Sequence, residues 1–295
     1  MRIFLTGSTG FIGSRIVPEL IGAGHQVLGL VRSEESAKKL ATGAEAHYGT
    51  LEDLASLRRG TAAADGVIHT AFIHDFVDFA AASETDRRAI EAIGAELAGS
   101  PRPLIVCSGL AFLPQDRLAT ETDVPKVAGG YPRRSEETAL ELVAQGVRGM
   151  ALRLSPTTHG AGDHGFIHTL INIAREKGVA AYLGDGSNRW PAVHRFDAAR
   201  LFRLALEQGT AGARYHAVAE EGVPMRDIAA VIGRHLHLPV VSKTADEAAE
   251  HFGWMARFVG LNMAASSALT RQQLGWEPSH ATLLEDLEQG HYFES

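Results

Sequence analysis

Three glycines at three-residue spacing, Gly7, Gly10 and Gly13, sit near the start of the chain in RIFLTGSTGFIGSRIV. RIFLT is a short apolar run of strand character, and FIGSRIVPELIGAG has helical spacing. The glycines therefore fall in a strand-to-helix turn. The first permits a tight turn, the second lets backbone approach a pyrophosphate, and the third lets helix and strand pack closely. The helix N-terminus then offers unpaired N–H groups and partial positive charge to an anion. Gly7, Thr9, Gly10, Phe11, Ile12 and Gly13 are expected to wrap the diphosphate of a dinucleotide.

The rest of the chain keeps that rhythm. HQVLGLVR, AEAHYG, GVIHTAF, PLIVCSG and GMALRLSP read as strands separated by helical stretches, and LIVC is apolar on both faces. Such alternation predicts an α/β fold with a doubly wound parallel sheet of Rossmann type, helices covering both sides. After Pro156 the pattern breaks into glycine-rich loops and helices, with ARYHAVA as one more strand of the main sheet. Residues 1–158 are read as the dinucleotide-binding domain, with 193–218 returning to it. Residues 159–192 and 219–295 are read as a smaller, mostly helical substrate-binding lobe.

Composition narrows the function. The net charge is −7 with no long basic run, which disfavours nucleic acid as a partner. No apolar run reaches the length of a membrane span, and the motif begins too early to leave room for a signal peptide. Cys107 is the single cysteine, so an internal disulfide and a cysteine-based zinc cluster are excluded. A cytoplasmic location is the expectation.

The second strand ends GLVRSEES. An NAD-selective site usually carries an acid here for the ribose 2′-hydroxyl, whereas this chain has Arg32 and Ser33, a cation and a hydroxyl suited to a 2′-phosphate. NADPH is expected over NADH.

TGSTGFIG, GTLEDL, DGVIHTAF, LIVCSG and LRLSPTTHGAGD together resemble the extended short-chain dehydrogenase/reductase family, over nearly the whole length. The resemblance implies a nicotinamide cofactor and a cleft between lobes. It puts Ala71 and Phe72 against the cofactor, Ser108 at the active-site serine position, and Pro156 beside the nicotinamide end. Two departures stand out. Gly49-Thr50 replaces the family's Gly-Asp, leaving adenine contact to Thr50 and the Leu51 backbone. In GGYPRRSEETALELV the family's lysine is also missing. Counted from Tyr131 its position is Ser135; counted back from the following strand, the Ser-Lys pair falls on Ser135-Glu136 and the tyrosine on Pro132. A phenol near pKa 10 needs a nearby cation to serve as acid and base at neutral pH. Tyr131 is the first-choice proton donor, with Arg133, Arg134 or the cofactor's charge in the lysine's role, or with His159, His164 or His194 supplying the proton instead. Glu136 reads as an acid favourable to a helix start.

Fourteen histidines is a high count. His164 and His168 stand four apart, but Gly165 interrupts and no zinc hydrolase motif follows, so no metal is expected. His159, Phe166, Trp190 and His194 are expected to line the substrate site, and Arg189 or Arg195 to meet a diphosphate if the substrate is a nucleotide sugar. The expected activity is NADPH-dependent carbonyl reduction of a small molecule. A nucleotide-sugar epimerase or dehydratase and a non-catalytic NADP(H) sensor are the alternatives. The resemblance also implies a homodimer through the helices after strands four and five.

Overall fold

The structure is a computed structural model that describes residues 1–73, 78–125 and 132–294. Among the described residues the strands are β1 Arg2–Thr6, β2 Gln26–Val31, β3 Glu45–Tyr48, β4 Gly66–His69, β5 Pro103–Gly109, β6 Arg148–Leu154, β7 Thr157–His159, β8 Ala180–Leu183, β9 Arg189–His194, β10 Arg214–Ala217, β11 Glu220–Pro224 and β12 Val240–Lys243. Seven form one sheet in the order β10-β6-β5-β4-β1-β2-β3, every neighbouring pair parallel. This is the doubly wound α/β fold that the strand–helix alternation implies.

Strand alternation explains how both faces are covered. Ile3 and Leu5 of β1 point to one face, where helices Gly13–Gly22 and Arg195–Gln208 add Ile16, Val17, Leu20 and Phe202. Phe4 points to the other face, against Ala89, Ile90 and Ile93 of helix Phe79–Leu97. All of these side chains are fully buried.

The chain lays β3 on one side of β1 and then crosses to β4 on the other. Ligands of open α/β sheets bind outside the carboxyl ends of the strands at such a reversal. The lobe carries two small sheets, β11-β9-β7 and β12-β8. Its own core includes Ile167, Leu170, Ile228, Phe252 and Met255. Among the described residues no helix is long and apolar enough to cross a membrane.

Candidate functional site

At the carboxyl end of β1, Gly7 takes φ +71°, and the Gly10 amide donates to the Gly7 carbonyl at 3.0 Å. A Cβ on Gly13 would lie 2.0 Å from that same carbonyl oxygen, so only glycine lets the helix close on the turn. The Phe11 and Ile12 amides make no hydrogen bond among the described residues. Open amides at the head of a ten-residue helix are the donor set a diphosphate requires, so the turn fits that group. Thr9 is half-buried beside them. The next strand is tied to the turn: the Ala71 amide donates to Thr6 Oγ1 at 3.3 Å, which sets Ala71 and Phe72 beside the loop.

At the end of β2, Arg32 is exposed and has no ion pair among the described residues. Ser33 caps helix Glu34–Lys38 by accepting the Ser36 amide at 3.2 Å. Thr50 is exposed, while the Leu51 side chain belongs to the core. Leu51 therefore has only its backbone to offer a base.

Ser108, near the end of β5, opens into a cleft whose walls include Phe112, Arg133, Ser135 and Glu136. Tyr131 lies outside the described residues. Arg133 is held on three sides. Its Nη2 donates to the Cys107 carbonyl at 2.9 Å, its Nε donates to Ser135 Oγ at 2.9 Å, and its guanidinium carbon stands 4.1 Å from the Phe72 ring centre. The Ser135 hydroxyl, at the position where the family lysine is sought, donates to Asp86 Oδ2 at 2.6 Å. Asp86 Oδ1 lies 3.1 Å from His69 Nε2, and His69 Nδ1 lies 2.9 Å from Thr6 Oγ1. Thr6, His69, Asp86 and Ser135 are all buried. Burial opposes ionisation of Asp86, but the His69 hydrogen bond and the nearby Arg133 charge keep its carboxyl below the usual range.

Glu136 is more than a helix-start acid. Its carboxylate takes Arg153 Nε and Nη2 at 2.8 and 2.6 Å and Arg214 Nε at 2.6 Å. Those two arginines outweigh the burial and hold Glu136 ionised. Burial pushes the Cys107 thiol up to about 11, so no thiolate is offered to the cleft.

The expected substrate residues are sorted differently from the sequence reading. Trp190 is fully buried in the lobe core and gives its indole N–H to the Leu261 carbonyl at 3.2 Å, so no face of its ring is open to a substrate. His159 is also fully buried, on Asp286, rather than lining the cleft. His194 is buried, stacked on His280 with ring centres 4.9 Å apart. Phe166 is half-buried at the lobe-core margin, 5.0 Å from the Phe258 ring. Pro156 stays half-exposed at the end of β6. Arg195 is buried against the Phe11 ring and bonded to the Ala161 carbonyl, whereas Arg189 is exposed. His164 is exposed and rests its edge on Phe11, apart from the buried histidines. The sequence reading did not single out His69, Asp86 and Asp286; their only signal was polar residues inside otherwise apolar strand or helix patterns.

A family model described as NAD(P)H-binding matches residues 7–171, more than half of the chain. Among relatives, an uncharacterised protein of Schizosaccharomyces pombe is 55% identical over 297 residues, covering 99% of this chain and 100% of that one. One of Saccharomyces cerevisiae, likewise uncharacterised, is 43% identical over 97% of this chain and 98% of its own. A 4-hydroxy-2-methyl-3-oxo-4-farnesyl-3,4-dihydroquinoline-1-oxide ketoreductase of Stigmatella aurantiaca is 28% identical over 86% of this chain and 80% of its own. Among solved structures, UDP-glucose 4-epimerase of Thermotoga maritima superposes with TM-score 0.77 at 20% identity, covering 99% and 98% of the two chains. The match over residues 7–171 shows that the chain belongs to the NAD(P)H-binding family, and it shares its fold with UDP-glucose 4-epimerase.

Proposed function

We propose that the protein is an NADPH-dependent carbonyl reductase in which Arg133 takes over the electrostatic work of the missing lysine. The observation that carries this reading is the meeting of Ser108 and Arg133 on one cleft, with Arg133 fixed over Phe72 by the Ser135–Asp86–His69 chain. The nicotinamide, when bound, supplies the hydride. The Ser108 hydroxyl donates to the substrate carbonyl oxygen, and Arg133 places a fixed positive charge where that oxygen becomes an alkoxide. A guanidinium does not release a proton, so the alkoxide takes its proton from another group, and Tyr131 is the assigned donor. Asp86 keeps the cation oriented and its charge balanced. The unpaired, exposed Arg32 supports NADPH as the cofactor through its fit to a 2′-phosphate. The ketoreductase relative supports a ketone or aldehyde substrate.

A second reading, sugar-nucleotide epimerisation or dehydration, is favoured by the exposed Arg189 and by the fold shared with UDP-glucose 4-epimerase. The experiment that separates them is a carbonyl panel assayed for NADPH consumption, run beside UDP-sugars assayed for product without net cofactor turnover. Consumption with a carbonyl, lost in Ser108→Ala, supports reduction. UDP-sugar conversion alone supports epimerisation. Tight cofactor binding with neither reaction makes the protein a sensor. For the cofactor claim, NADPH is expected to bind more tightly than NADH, and Arg32→Ala to shrink the ratio about tenfold. Equal affinities in the parent protein would end that assignment.

A further inference from the structure

His159 and His194 end two adjacent parallel strands, β7 and β9, and are register partners, so their side chains leave the same face of the small sheet. The two ring centres are 5.3 Å apart at 75°. Helix Leu283–Glu288 packs against both strands and brings in Asp286 from the far end of the chain. All three side chains are buried, and one donor atom from each lies within 4.8 Å of the other two.

The hydrogen bonding leaves this cluster unfinished. His159 Nδ1 is 2.9 Å from Asp286 Oδ2, which fixes the N–H on Nδ1 and the lone pair on Nε2. That Nε2 is sealed from solvent and has no hydrogen-bond partner among the described residues. His291 Nε2 is a second orphan of the same kind, 3.8 Å from Asp286 Oδ1 and too distant to hydrogen-bond to it. Two imidazoles and a carboxylate buried this close together are a metal ligand set once an ion replaces the proton shared by His159 Nδ1 and Asp286. A second carboxylate, Glu220, accepts the Leu283 amide at 2.7 Å in the same corner, adding negative charge. None of these residues lines the cleft at Ser108.

We infer that His159, His194 and Asp286 form a buried structural site for a divalent transition-metal ion of the zinc class. Nitrogen and carboxylate donors select that class over calcium and magnesium, which take oxygen alone. Metal–ligand bonds of about 2.0–2.2 Å require the nest to contract by roughly an ångström around the ion. The ion would staple the C-terminal helix to β7 and β9 and so brace the loop beginning at Gly160.

The test is metal uptake by the full chain, stripped with a chelator and titrated with Zn²⁺ alone or Co²⁺ alone. The expected result is one equivalent per chain, a raised melting temperature, and visible Co²⁺ absorption of a four-coordinate nitrogen–oxygen site. His159→Asn is expected to weaken binding on the order of 100-fold. His194→Asn, which can still cap helix Arg195–Gln208, guards against a His159 variant that does not fold; it should weaken binding while leaving the far-ultraviolet circular dichroism unchanged. No stoichiometric uptake by the parent protein, or uptake that survives in the folded His194→Asn variant with an unaltered cobalt spectrum, overturns the site.

Discussion

Two buried histidine–aspartate pairs, His69–Asp86 in the nucleotide-binding half and His159–Asp286 in the lobe, begin alike and end differently. In the first, both ring nitrogens are used, on Thr6 and Asp86, and the second Asp86 oxygen takes the Ser135 hydroxyl. That chain continues to Arg133 and stops at the cleft. In the second pair one ring nitrogen holds Asp286 and the other faces nothing. A fully satisfied pair acts as a strut that aims a cation, whereas a half-satisfied one is a socket. The same two residue types build a finished network in one place and an unfinished one in the other, and the accounting of donors and acceptors tells them apart.

The largest expected effect is on the strut. Asp86→Ala strips His69 and Ser135 of their shared acceptor and leaves Arg133 without its counter-charge, a loss of about 3–5 kcal/mol of stability. Asp286→Ala in chelator-stripped protein removes one partner from a cluster already short of them, costing about 1–3 kcal/mol. Urea unfolding of both variants measures the difference. If the second matches the first, the two pairs are the same kind of object and the contrast fails.

The next effect is kinetic. Arg133→Ala is expected to lower kcat with the best carbonyl substrate on the order of 100-fold, because the charge is needed where the alkoxide forms. Asp86→Asn preserves the shape and cuts kcat about tenfold through a misaimed guanidinium. Arg133→Lys should retain more activity than Arg133→Ala, since a point charge survives. A KM increase with kcat intact in all three would make Arg133 a binding group and the strut a structural one.

Those residues show where the sequence could be read and where it could not. The turn at Gly7, Gly10 and Gly13 is local: strand, glycines and helix lie within two dozen residues, and their spacing carries the physics. The seven-stranded sheet follows from the same local alternation. The strut does not, because Asp86 and Ser135 are 49 residues apart and His69 lies in a strand whose apolar neighbours hide it. Trp190 and His159 were placed in the substrate site because aromatic and imidazole groups beside glycine loops suit a cleft. Their partners, Leu261 and Asp286, stand 71 and 127 residues downstream, and only the folded lobe brings them in to seal both rings. Glu136 was read through its helix start, while its arginines come from two later strands, β6 and β10.

The smallest effect comes from a third buried histidine, His216, whose nitrogens are both occupied without any carboxylate. Its Nδ1–H points to the Ser266 carbonyl at 2.8 Å, and its Nε2 accepts from Arg153 Nη1 at 3.1 Å. Burial, and then the Arg153 charge, hold this imidazole down to about 4, with Glu121 and Glu136 pulling the other way. The unfolded chain, with an ordinary histidine near 6.5, therefore binds this proton before the folded one does. The contribution is fully present above about pH 6.5 and is lost as pH falls toward 4, where protonation would set two cations face to face. Urea midpoints taken across that window should drop as pH falls, and His216→Gln, which can still accept from Arg153, should flatten the slope. An unchanged slope in that variant would mean that the acid sensitivity arises elsewhere.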